Sequence, residues 1–518
     1  MLKKIIIFYF KVHLILFISL FTNAQPNLEW EKNFGGSNLD EAYSIIQTLD
    51  NGYIVVGTSE SSNGDISENN GWNDIWIIKL NEIGDIEWEK SFGGTGYDYA
   101  YSVQQTLDSG FIITGNTFSF DGDFGENNGW ADCFILKIDT IGNLEWSKFY
   151  GGTDPDYGNS IIQTTDGGFI TAGVSQSNDI DVSDNNGGID IWILKLDNLG
   201  NLEWEKNFGG LSSDHAHSIK QTNDEGFIIA GHSSSNNIDV SGGNGNIDYW
   251  IVKLDNLGNL EWEKSYGGSR NDSAYEIQLT SDGGFIVAGI SSSEDGDVSE
   301  NNSSFYIDCW ILKLDSLGSL EWEKNYGGSG NDYANSIQQT SDEGFIIAGS
   351  TESNDIDVSN NNGALDYWLF KLDQDGNLEW EKNYGGLGND YANSISITND
   401  GGCIIAGSSG SSDGDLNNNN GDLDFWIIKL SPLNLGVTNL SYSTTFNLFP
   451  NPSDGNFKIH SNVSNAPINI KIFSISGNKI YENIVADNLI NINNIPSGLY
   501  FLYIEQNKYT SQIKIIIK

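Results

Sequence analysis

Basic residues are scarce in this sequence. Its 518 residues include 25 Lys and Arg against 71 Asp and Glu, which gives a formal net charge of −46. Because phosphate binding relies on Lys and Arg, this balance argues against nucleic acid, and likewise against an anionic membrane surface, as a partner. Cations, neutral glycans and basic proteins stay open as partners, and the acidity is equally consistent with a role in solubility alone.

Long apolar runs are missing, apart from one at the start of the chain. It extends from Ile5 to Phe21, follows two lysines and precedes small residues that end at Ala24. This order is typical of a secretory signal peptide, which we place at residues 1–24. A membrane anchor is the alternative, but Lys11 leaves less than the ~20 apolar residues that a span needs. We therefore expect no transmembrane segment in the mature chain.

The sequence also shows no helical spacing of apolar residues. It shows a long repeat instead. Two series of aromatic residues recur at the same spacing, 58 residues from Trp30 to Trp88 and once 60, from Trp262 to Trp322. The first series, in Leu-Glu-Trp segments or close variants, is Trp30, Trp88, Trp146, Trp204, Trp262, Trp322 and Trp380. The second is Trp76, Phe134, Trp192, Trp250, Trp310, Trp368 and Trp426. Seven copies of this length predict one small unit that buries its apolar faces by stacking.

Each unit reads as four short strands joined in sequence. Gly-rich turns and a long Ser, Asp, Asn and Gly loop separate short apolar or alternating segments. Seven such units predict an all-β, seven-bladed β-propeller over residues 25–430, with an open solenoid as the alternative. The strand from Leu28 to Phe34 stands alone before the first unit, and the unit ending at Leu430 lacks that strand. We expect the first strand to complete the last blade and so close the ring.

Three aspartates recur in every unit, and the predicted topology places them on one face. The first series is Asp40, Asp98, Asp156, Asp214, Asp272, Asp332 and Asp390. The second, in the long loop, is Asp65, Asp123, Asp181, Asp239, Asp297, Asp357 and Asp415. The third is Asp74, Asp132, Asp190, Asp248, Asp308, Asp366 and Asp424. Oxygen-rich loops suit a hard cation, so the long-loop series is a candidate set of calcium ligands.

The alternative for all three series is that the carboxylates cap backbone groups and fix turns. The ligand types that favour calcium are clearest in two loops, one with Asp121, Asp123 and Glu126 and the other with Asp295, Asp297 and Glu300. Neither loop has EF-hand spacing. We predict no other cofactor.

Histidine and cysteine offer little further chemistry. His215 and His217 stand two residues apart and would share a strand face, with His232 in the next strand. A zinc site is one interpretation, and drift of repeat positions is the other. The three cysteines, Cys133, Cys309 and Cys403, replace apolar or aromatic residues of other units, which predicts buried fillers without disulfides.

The sequence gives little support for catalysis. No His-Glu-x-x-His motif occurs, and nearly every polar residue recurs in all units. A pair of carboxylates for glycoside cleavage has no fixed spacing and stays open. Recurrence favours multivalent weak binding, although the recurring tryptophans are better placed to form the core between blades than to stack on sugars.

The repeat stops at Leu430, and residues 431–445 read as a linker to a different domain at 446–518. That domain contains Leu448-Phe449-Pro450-Asn451-Pro452, Ile472-Phe473-Ser474-Ile475-Ser476-Gly477, Pro496-Ser497-Gly498-Leu499-Tyr500 and a closing Gln512 to Lys518. These segments resemble the type IX secretion sorting domain of Bacteroidetes. The resemblance implies a small β-sandwich that addresses the chain to the type IX machinery for passage across the outer membrane. The repeats, too, are similar to those of secreted proteins of that phylum.

These observations predict a secreted or outer-membrane surface protein. The leading functional hypothesis is a non-catalytic binding or adhesion module with a glycan or protein ligand, its loops braced by calcium. A secreted enzyme acting on polysaccharide would need a blade-specific cluster of carboxylates or histidines at the channel mouth, and His215, His217 and His232 are the first candidates. A passive surface scaffold is the third possibility.

Overall fold

The computed structural model describes residues 25–432, except 126, 300, 302–305 and 417–418. In the C-terminal part it describes 446–449, 456–461, 468–474, 479–485, 489–491, 496, 498–506 and 509–517. The predicted signal peptide, residues 1–24, and most of the predicted linker lie outside the described residues. The chain divides into two compact units between Leu435 and Gly436.

The described residues of the first unit form 28 strands. In chain order they are β1 (Leu28–Phe34), β2 (Asp40–Gln47), β3 (Tyr53–Ser59), β4 (Asp74–Leu80), β5 (Ile86–Phe92), β6 (Asp98–Gln105), β7 (Phe111–Thr117), β8 (Asp132–Ile138), β9 (Leu144–Tyr150), β10 (Asp156–Gln163), β11 (Phe169–Ser175), β12 (Asp190–Leu196), β13 (Leu202–Phe208), β14 (Asp214–Gln221), β15 (Phe227–Ser233), β16 (Asp248–Leu254), β17 (Leu260–Tyr266), β18 (Asp272–Leu279), β19 (Phe285–Ser291), β20 (Asp308–Leu314), β21 (Leu320–Tyr326), β22 (Asp332–Gln339), β23 (Phe345–Thr351), β24 (Asp366–Leu372), β25 (Leu378–Tyr384), β26 (Asp390–Ile397), β27 (Cys403–Ser409) and β28 (Asp424–Leu430).

These strands form seven antiparallel sheets of four strands each, the blades of a β-propeller. Six blades use four consecutive strands, from β2–β5 to β22–β25, and the seventh has the order β1-β28-β27-β26. In the seventh blade Leu28 pairs with Leu430 and Phe34 pairs with Phe425. The inner strand β2 of the first blade packs against β26 and β27 of the last. The predicted architecture is confirmed, including closure of the ring by the N-terminal strand.

The core lies between neighbouring blades. The second and third strands of a blade, such as β3 and β4, are buried along their whole length, which explains their β-branched and aromatic composition. Trp76 of β4 packs against Phe425 of the neighbouring blade, with ring centroids 4.6 Å apart. The second tryptophan series is therefore core, as its position within a strand predicts.

Each inner strand carries a β-bulge at the same position. In the first blade the pairing of β2 with β3 shifts between Ala42 and Ser44, which leaves Tyr43 unpaired. Gly57 lies opposite, where a Cβ atom would come within 1.9 Å of the Glu41 carbonyl oxygen. The bulge residues of the seven blades are Tyr43, Tyr101, Asn159, His217, Tyr275, Asn335 and Asn393. A bulge re-aims its side chain, and here all seven side chains line one central cavity.

The second unit contains two antiparallel sheets. Its strands are β29 (Phe446–Phe449), β30 (Asn456–Ser461), β31 (Ile468–Ser474), β32 (Lys479–Val485), β33 (Leu489–Asn491), β34 (Gly498–Gln506) and β35 (Tyr509–Ile517). They pair in the orders β29-β30-β33 and β32-β31-β34-β35. Ile470, Leu502 and Ile515 belong to the buried core of this unit, which confirms the predicted small C-terminal β-domain. Throughout the described ranges, a helix of the length and apolarity needed to cross a membrane is not found.

Candidate functional site

The first aspartate series is buried and fully engaged in bracing loops. Asp40, at the start of β2, is 0 % exposed. Its carboxylate accepts hydrogen bonds from the Gly36 N–H at 2.7 Å, from the Ser61 hydroxyl at 3.0 Å and from the Ser59 hydroxyl. Burial raises the pKa of Asp40, and these hydrogen bonds oppose the rise. The predicted capping role is what the structure shows for this residue.

In Asp74 of the third series, one carboxylate oxygen accepts a hydrogen bond and the other does not. Asp74 Oδ2 accepts a hydrogen bond from the Asn70 N–H at 2.7 Å, whereas its Oδ1 is buried and makes no hydrogen bond. The same orphaned oxygen occurs in Asp132, Asp190, Asp248, Asp366 and Asp424. Burial, together with the nearby carboxylates of Asp98 and Asp123, raises the pKa of Asp74 to about 6, and the hydrogen bond from the Asn70 N–H opposes that rise.

The long-loop series closes the loop onto the preceding Gly-Gly segment. Asp65 accepts a hydrogen bond from the Gly35 N–H at 3.1 Å, and its own N–H donates to the Gly35 carbonyl oxygen at 3.1 Å. The equivalent contact of the Gly N–H with the aspartate recurs for Asp123, Asp181, Asp239, Asp297, Asp357 and Asp415. This reciprocal pair fixes the base of the loop.

All three series meet at the junction between two blades. A Cβ atom on Gly93 would lie 2.4 Å from Asp74 Oδ1 and 2.9 Å from Asp98 Oδ2, so only glycine fits between these carboxylates. The closing junction has the same arrangement, with Gly35 between Asp424 and Asp40 at 2.3 and 2.7 Å. The first glycine of the Gly-Gly sequence therefore allows two aspartate carboxylates to lie close to its Cα atom, where any side chain would clash with them.

The predicted calcium ligands stay a prediction. Among the residues that the structure describes, no group of three or more His, Cys, Asp or Glu side chains is arranged to hold a metal ion. Glu126 and Glu300, which strengthen the two most suggestive loops, lie outside the described residues. Asp65, Asp123 and Asp415 are exposed at the loop surface, so further oxygen ligands would have to come from backbone carbonyls or water.

The central cavity has a volume of about 420 Å³ and is lined by the inner strands of all seven blades. Serine residues next to the bulges join neighbouring blades, since Ser102 accepts a hydrogen bond from the Ile161 N–H at 3.2 Å. Ser394 accepts one from the Ile45 N–H at 3.2 Å across the closing junction. The wall of the cavity is therefore a hydrogen-bonded part of the ring.

One blade has a residue other than serine at this position next to the bulge. Glu276 takes the position of the serine in the fifth blade and accepts hydrogen bonds from the Ser336 hydroxyl and the Ile337 N–H, at 2.7 and 2.9 Å. Lys220 lies 3.6 Å from its other oxygen. Among the described residues that line the cavity, Glu276 is the one carboxylate.

The three histidines of the fourth blade come together. His217 Nε2 lies 3.3 Å from His232 Nδ1, and the ring centroids of His215 and His232 are 4.6 Å apart. Burial lowers the pKa of His217 to about 4 and that of His232 to about 2, so both rings are neutral at pH 7. His217 lines the cavity. The cluster lies at the cavity, where a catalytic or zinc-binding group was expected. Its stacked rings, however, do not surround a common position that a metal ion could occupy.

A set of exposed aromatic residues that the repeat does not require was not predicted from the sequence. Trp72 and Trp130 occupy the loop before the third strand of the first two blades, and their side chains are 66 % and 70 % exposed. The signal was available as a departure from the repeat. Tyr306 takes this position in the fifth blade, and Gly188, Asn246, Ala364 and Asp422 take it in the others. A reading that averages over copies hides such positions.

The model of one protein family, described as a secretion system C-terminal sorting domain, matches residues 447–518. This match confirms that the tail is a type IX sorting domain. It supports an exported or surface protein that interacts with the type IX secretion machinery. The comparison with curated proteins gives no match.

Solved structures of low similarity match the chain as well. The WD40 domain of Pan2 from Neurospora crassa is 8 % identical, with a TM-score of 0.40, covering 75 % of this chain and 88 % of that one. Cobalt-substituted ACO from Synechocystis is 12 % identical, with a TM-score of 0.37, covering 80 % and 96 %. At these scores the likeness adds nothing to the architecture, which rests on the strand pairing described above.

Proposed function

We propose that this chain is a non-catalytic binding or adhesion module, with a glycan or protein ligand, that the type IX machinery delivers to the cell surface or the medium. The observation that supports this proposal most strongly is that the residues of the loop face fall into two groups. Recurring residues there, such as Asp40 and Asp65, brace the loops, whereas exposed positions between them differ from blade to blade. A rigid scaffold with variable exposed loop residues is the usual construction of a binding surface.

The export part of the proposal uses both ends of the chain. Residues 1–24 would direct the chain across the inner membrane as a signal peptide, and residues 446–518 would then engage the type IX machinery. The resemblance of the tail to sorting domains implies that it is removed on export. Residues 25–430 are then the part that meets the ligand.

Calcium is a separable component of the proposal. The exposed carboxylates of Asp65, Asp123 and Asp415 supply the hard oxygen ligands that calcium prefers, next to loops rich in backbone carbonyl groups. A ligand that binds only the folded state raises its melting temperature. Tm should therefore rise in millimolar calcium over EGTA, and magnesium at equal concentration is the control. An unchanged Tm removes calcium and leaves the binding proposal standing.

The binding proposal is tested with the mature propeller on arrays of glycans and of surface proteins. We expect saturable binding to members of one class, weakened by substitutions of exposed loop residues and unaffected by substitutions on the opposite face. Ile83, 59 % exposed in the turn between β4 and β5, offers such a control as Ile83→Ser. An absence of binding on both arrays would favour the passive scaffold.

A further inference from the structure

Several aromatic residues that do not recur are concentrated on one sector of the loop face. Tyr97 has no aromatic equivalent elsewhere, since Leu39, Pro155, Ser213, Asn271, Asn331 and Asn389 take its position in the other blades. Phe118 also stands alone, because Glu60, Gln176, Ser234, Ser292, Glu352 and Gly410 are its equivalents. This sector of the first three blades therefore carries a feature that the repeat itself does not require.

Backbone contacts place these aromatic rings against each other. Trp72 N–H donates to the Gly96 carbonyl oxygen at 3.2 Å, and Asn73 forms a parallel bridge with Tyr97. The rings of Trp72 and Tyr97 consequently stack, with centroids 5.8 Å apart and planes at 22°. Phe118 N–H donates to the Tyr97 carbonyl oxygen at 2.9 Å, which brings the Phe118 ring edge-on to Tyr97 at 6.4 Å.

From Tyr97 the rings continue along β6 toward the central cavity. Tyr97, Tyr99 and Tyr101 alternate along the chain and share one face of the strand. Their rings are nearly parallel, at 7° and 6°, with centroids 6.5 and 6.2 Å apart. Tyr101 then contacts Tyr43 of the first blade edge-on at 5.2 Å. A track of aromatic rings thus leads from the exposed loop to the mouth of the cavity.

The track forms one wall of a groove of about 410 Å³. Its lining residues are Tyr97, Tyr99, Tyr101, Asn116, Phe118 and Tyr157. Asn116 is only 2 % exposed, and its side-chain oxygen Oδ1 makes no hydrogen bond. A buried acceptor without a partner is costly, and a ligand that donates a hydrogen bond would satisfy it. This orphaned amide is independent of the aromatic packing and points to a polar ligand.

We propose that this aromatic groove, with the stacked Trp72, is a subsite for an uncharged polysaccharide built of pyranose rings. Pyranose rings present C–H faces that stack on aromatic rings, and hydroxyl groups that donate to acceptors such as Asn116 Oδ1. The inference deepens the proposed binding function, and it names both the ligand class and the sector that holds it.

The charges around the groove select against anionic glycans. Among the described residues, no basic side chain lines it. Burial raises the pKa of the Tyr99 hydroxyl group, and the nearby carboxylates of Glu41 and Glu60 raise it further. Uronic or sulfated sugars would meet like charges there, which costs affinity. An uncharged glycan avoids this repulsion, so neutral polymers are the expected ligands.

The test measures binding of the mature propeller to neutral polysaccharides, such as β-glucan, mannan and xylan, by affinity electrophoresis and calorimetry. Trp72→Ala and Tyr97→Ala each remove an aromatic anchor, so each should weaken binding about tenfold, which corresponds to ~1.4 kcal/mol. Both side chains are at least 40 % exposed, so the variants should fold. An unchanged melting temperature verifies this.

Asn116→Thr tests the polar contact. Thr58 occupies the same position in the first blade, so the fold accepts this residue. We expect weaker polysaccharide binding with no loss of Tm, because Oδ1 makes no hydrogen bond in the fold. A fall in Tm with unchanged binding would assign Asn116 a structural role and overturn its part in the subsite.

Two matched variants control for loss of an aromatic surface. Trp130→Ala removes an equally exposed tryptophan one blade further along, which makes no ring contact among the described residues. Tyr333→Ala removes the sixth-blade equivalent of Tyr99, where Asn331 and Asn335 replace the flanking tyrosines. Neither should change binding.

The outcomes separate this subsite from the wider proposal. Equal binding by the wild type, Trp72→Ala and Tyr97→Ala would overturn the subsite while leaving a binding module elsewhere on the ring. Preference for an anionic glycan, or for a peptide at the same groove, would overturn the ligand class. Failure to bind any glycan or surface protein would remove the proposed function along with the subsite.

Discussion

At the scale of single residues, the orphaned carboxylates make stability depend on pH. Burial raises the pKa of Asp74 to about 6 and that of Asp424 to about 7, from an ordinary value of 3.8. The folded state therefore favours their protonated form. The stability that this contributes is present at pH values below the unfolded pKa and is lost as pH rises through 6 to 7.

We accordingly expect Tm to fall between pH 5 and pH 8, and Asp74→Asn to reduce that fall. One pKa unit is worth ~1.4 kcal/mol, so the variant should be more stable at pH 8 by on the order of 1–3 kcal/mol. Below pH 4 the variant and wild type should coincide. Glu68→Gln removes an equal charge from an exposed side chain and is the control, measured by thermal unfolding in EGTA. Parallel pH profiles for Asp74→Asn and wild type would contradict the assignment.

A buried lysine on the opposite face predicts an asymmetric pair of mutational effects. Lys79 is 3 % exposed in its side chain, and its Nζ lies 2.9 Å from both Asp50 and Glu87, whose side chains are 59 % and 45 % exposed. Removing both negative charges leaves a buried ammonium group beside the Leu80 carbonyl oxygen without the counter-charges of Asp50 and Glu87. Removing the lysine leaves two carboxylates that water can solvate.

The double variant Asp50→Asn/Glu87→Gln should therefore destabilise the fold by about 3–5 kcal/mol, and Lys79→Met by much less. Chemical denaturation at pH 7 measures both. Lys32→Met, which removes a partly exposed lysine paired with Asp85, should change stability by no more than ~1 kcal/mol and serves as the control. If the double variant and Lys79→Met lost the same free energy of unfolding, the ion pairs themselves, rather than the burial of an unpaired lysine, would account for the loss.

At the scale of elements, the sequence predicts strands and blade order because apolar segments and glycine turns recur at fixed positions. The β-bulge at Tyr43 was not predicted, since a bulge changes pairing and leaves the composition of a strand unchanged. Gly57 was a possible signal, because a glycine inside an otherwise apolar strand often marks a close backbone approach. The cavity-facing positions follow only once the bulge is known.

Ring closure gives an element-scale prediction. Deleting residues 25–36 removes β1 and exposes the edge of β28, so we expect a lower Tm and association between molecules. Moving residues 27–36 behind Leu430, joined by the turn sequence 197–201, should restore a monomer with Tm within about 5 °C of the wild type. Calorimetry and size-exclusion chromatography follow both. If the permuted chain remained associated or kept the low Tm of the deletion variant, β1 would not be equivalent to β5.

At the scale of the whole molecule, recurrence helped the fold prediction and hindered the site prediction. The aspartate series were found because they repeat, and the structure brings them together at each blade junction. Trp72 and Phe118 were missed because they depart from the repeat. Which of the aromatic residues touch could not be read from the sequence, since Trp72 and Tyr97 belong to different blades and meet only through the packing of the ring.

The two-unit organisation predicts that fold and export are separable. A chain ending at residue 432 lacks the sorting domain but keeps all seven blades, so the propeller should melt as it does in the full chain. The same truncation should abolish appearance at the cell surface or in the medium. Cell fractionation and calorimetry measure these outcomes. A large loss of propeller stability would contradict the division.

Completion of the ring has a temporal consequence for a protein made from its N-terminus. Glu31 of β1 accepts a hydrogen bond from Trp426, 395 residues later, so β1 can pair only after nearly all of the remaining propeller has been synthesised. Until then this strand has no strand to pair with. The other six blades can form earlier, because each is built from four consecutive strands. Of the 28 propeller strands, β1 is therefore the one that stays unpaired for longest while the chain is being made.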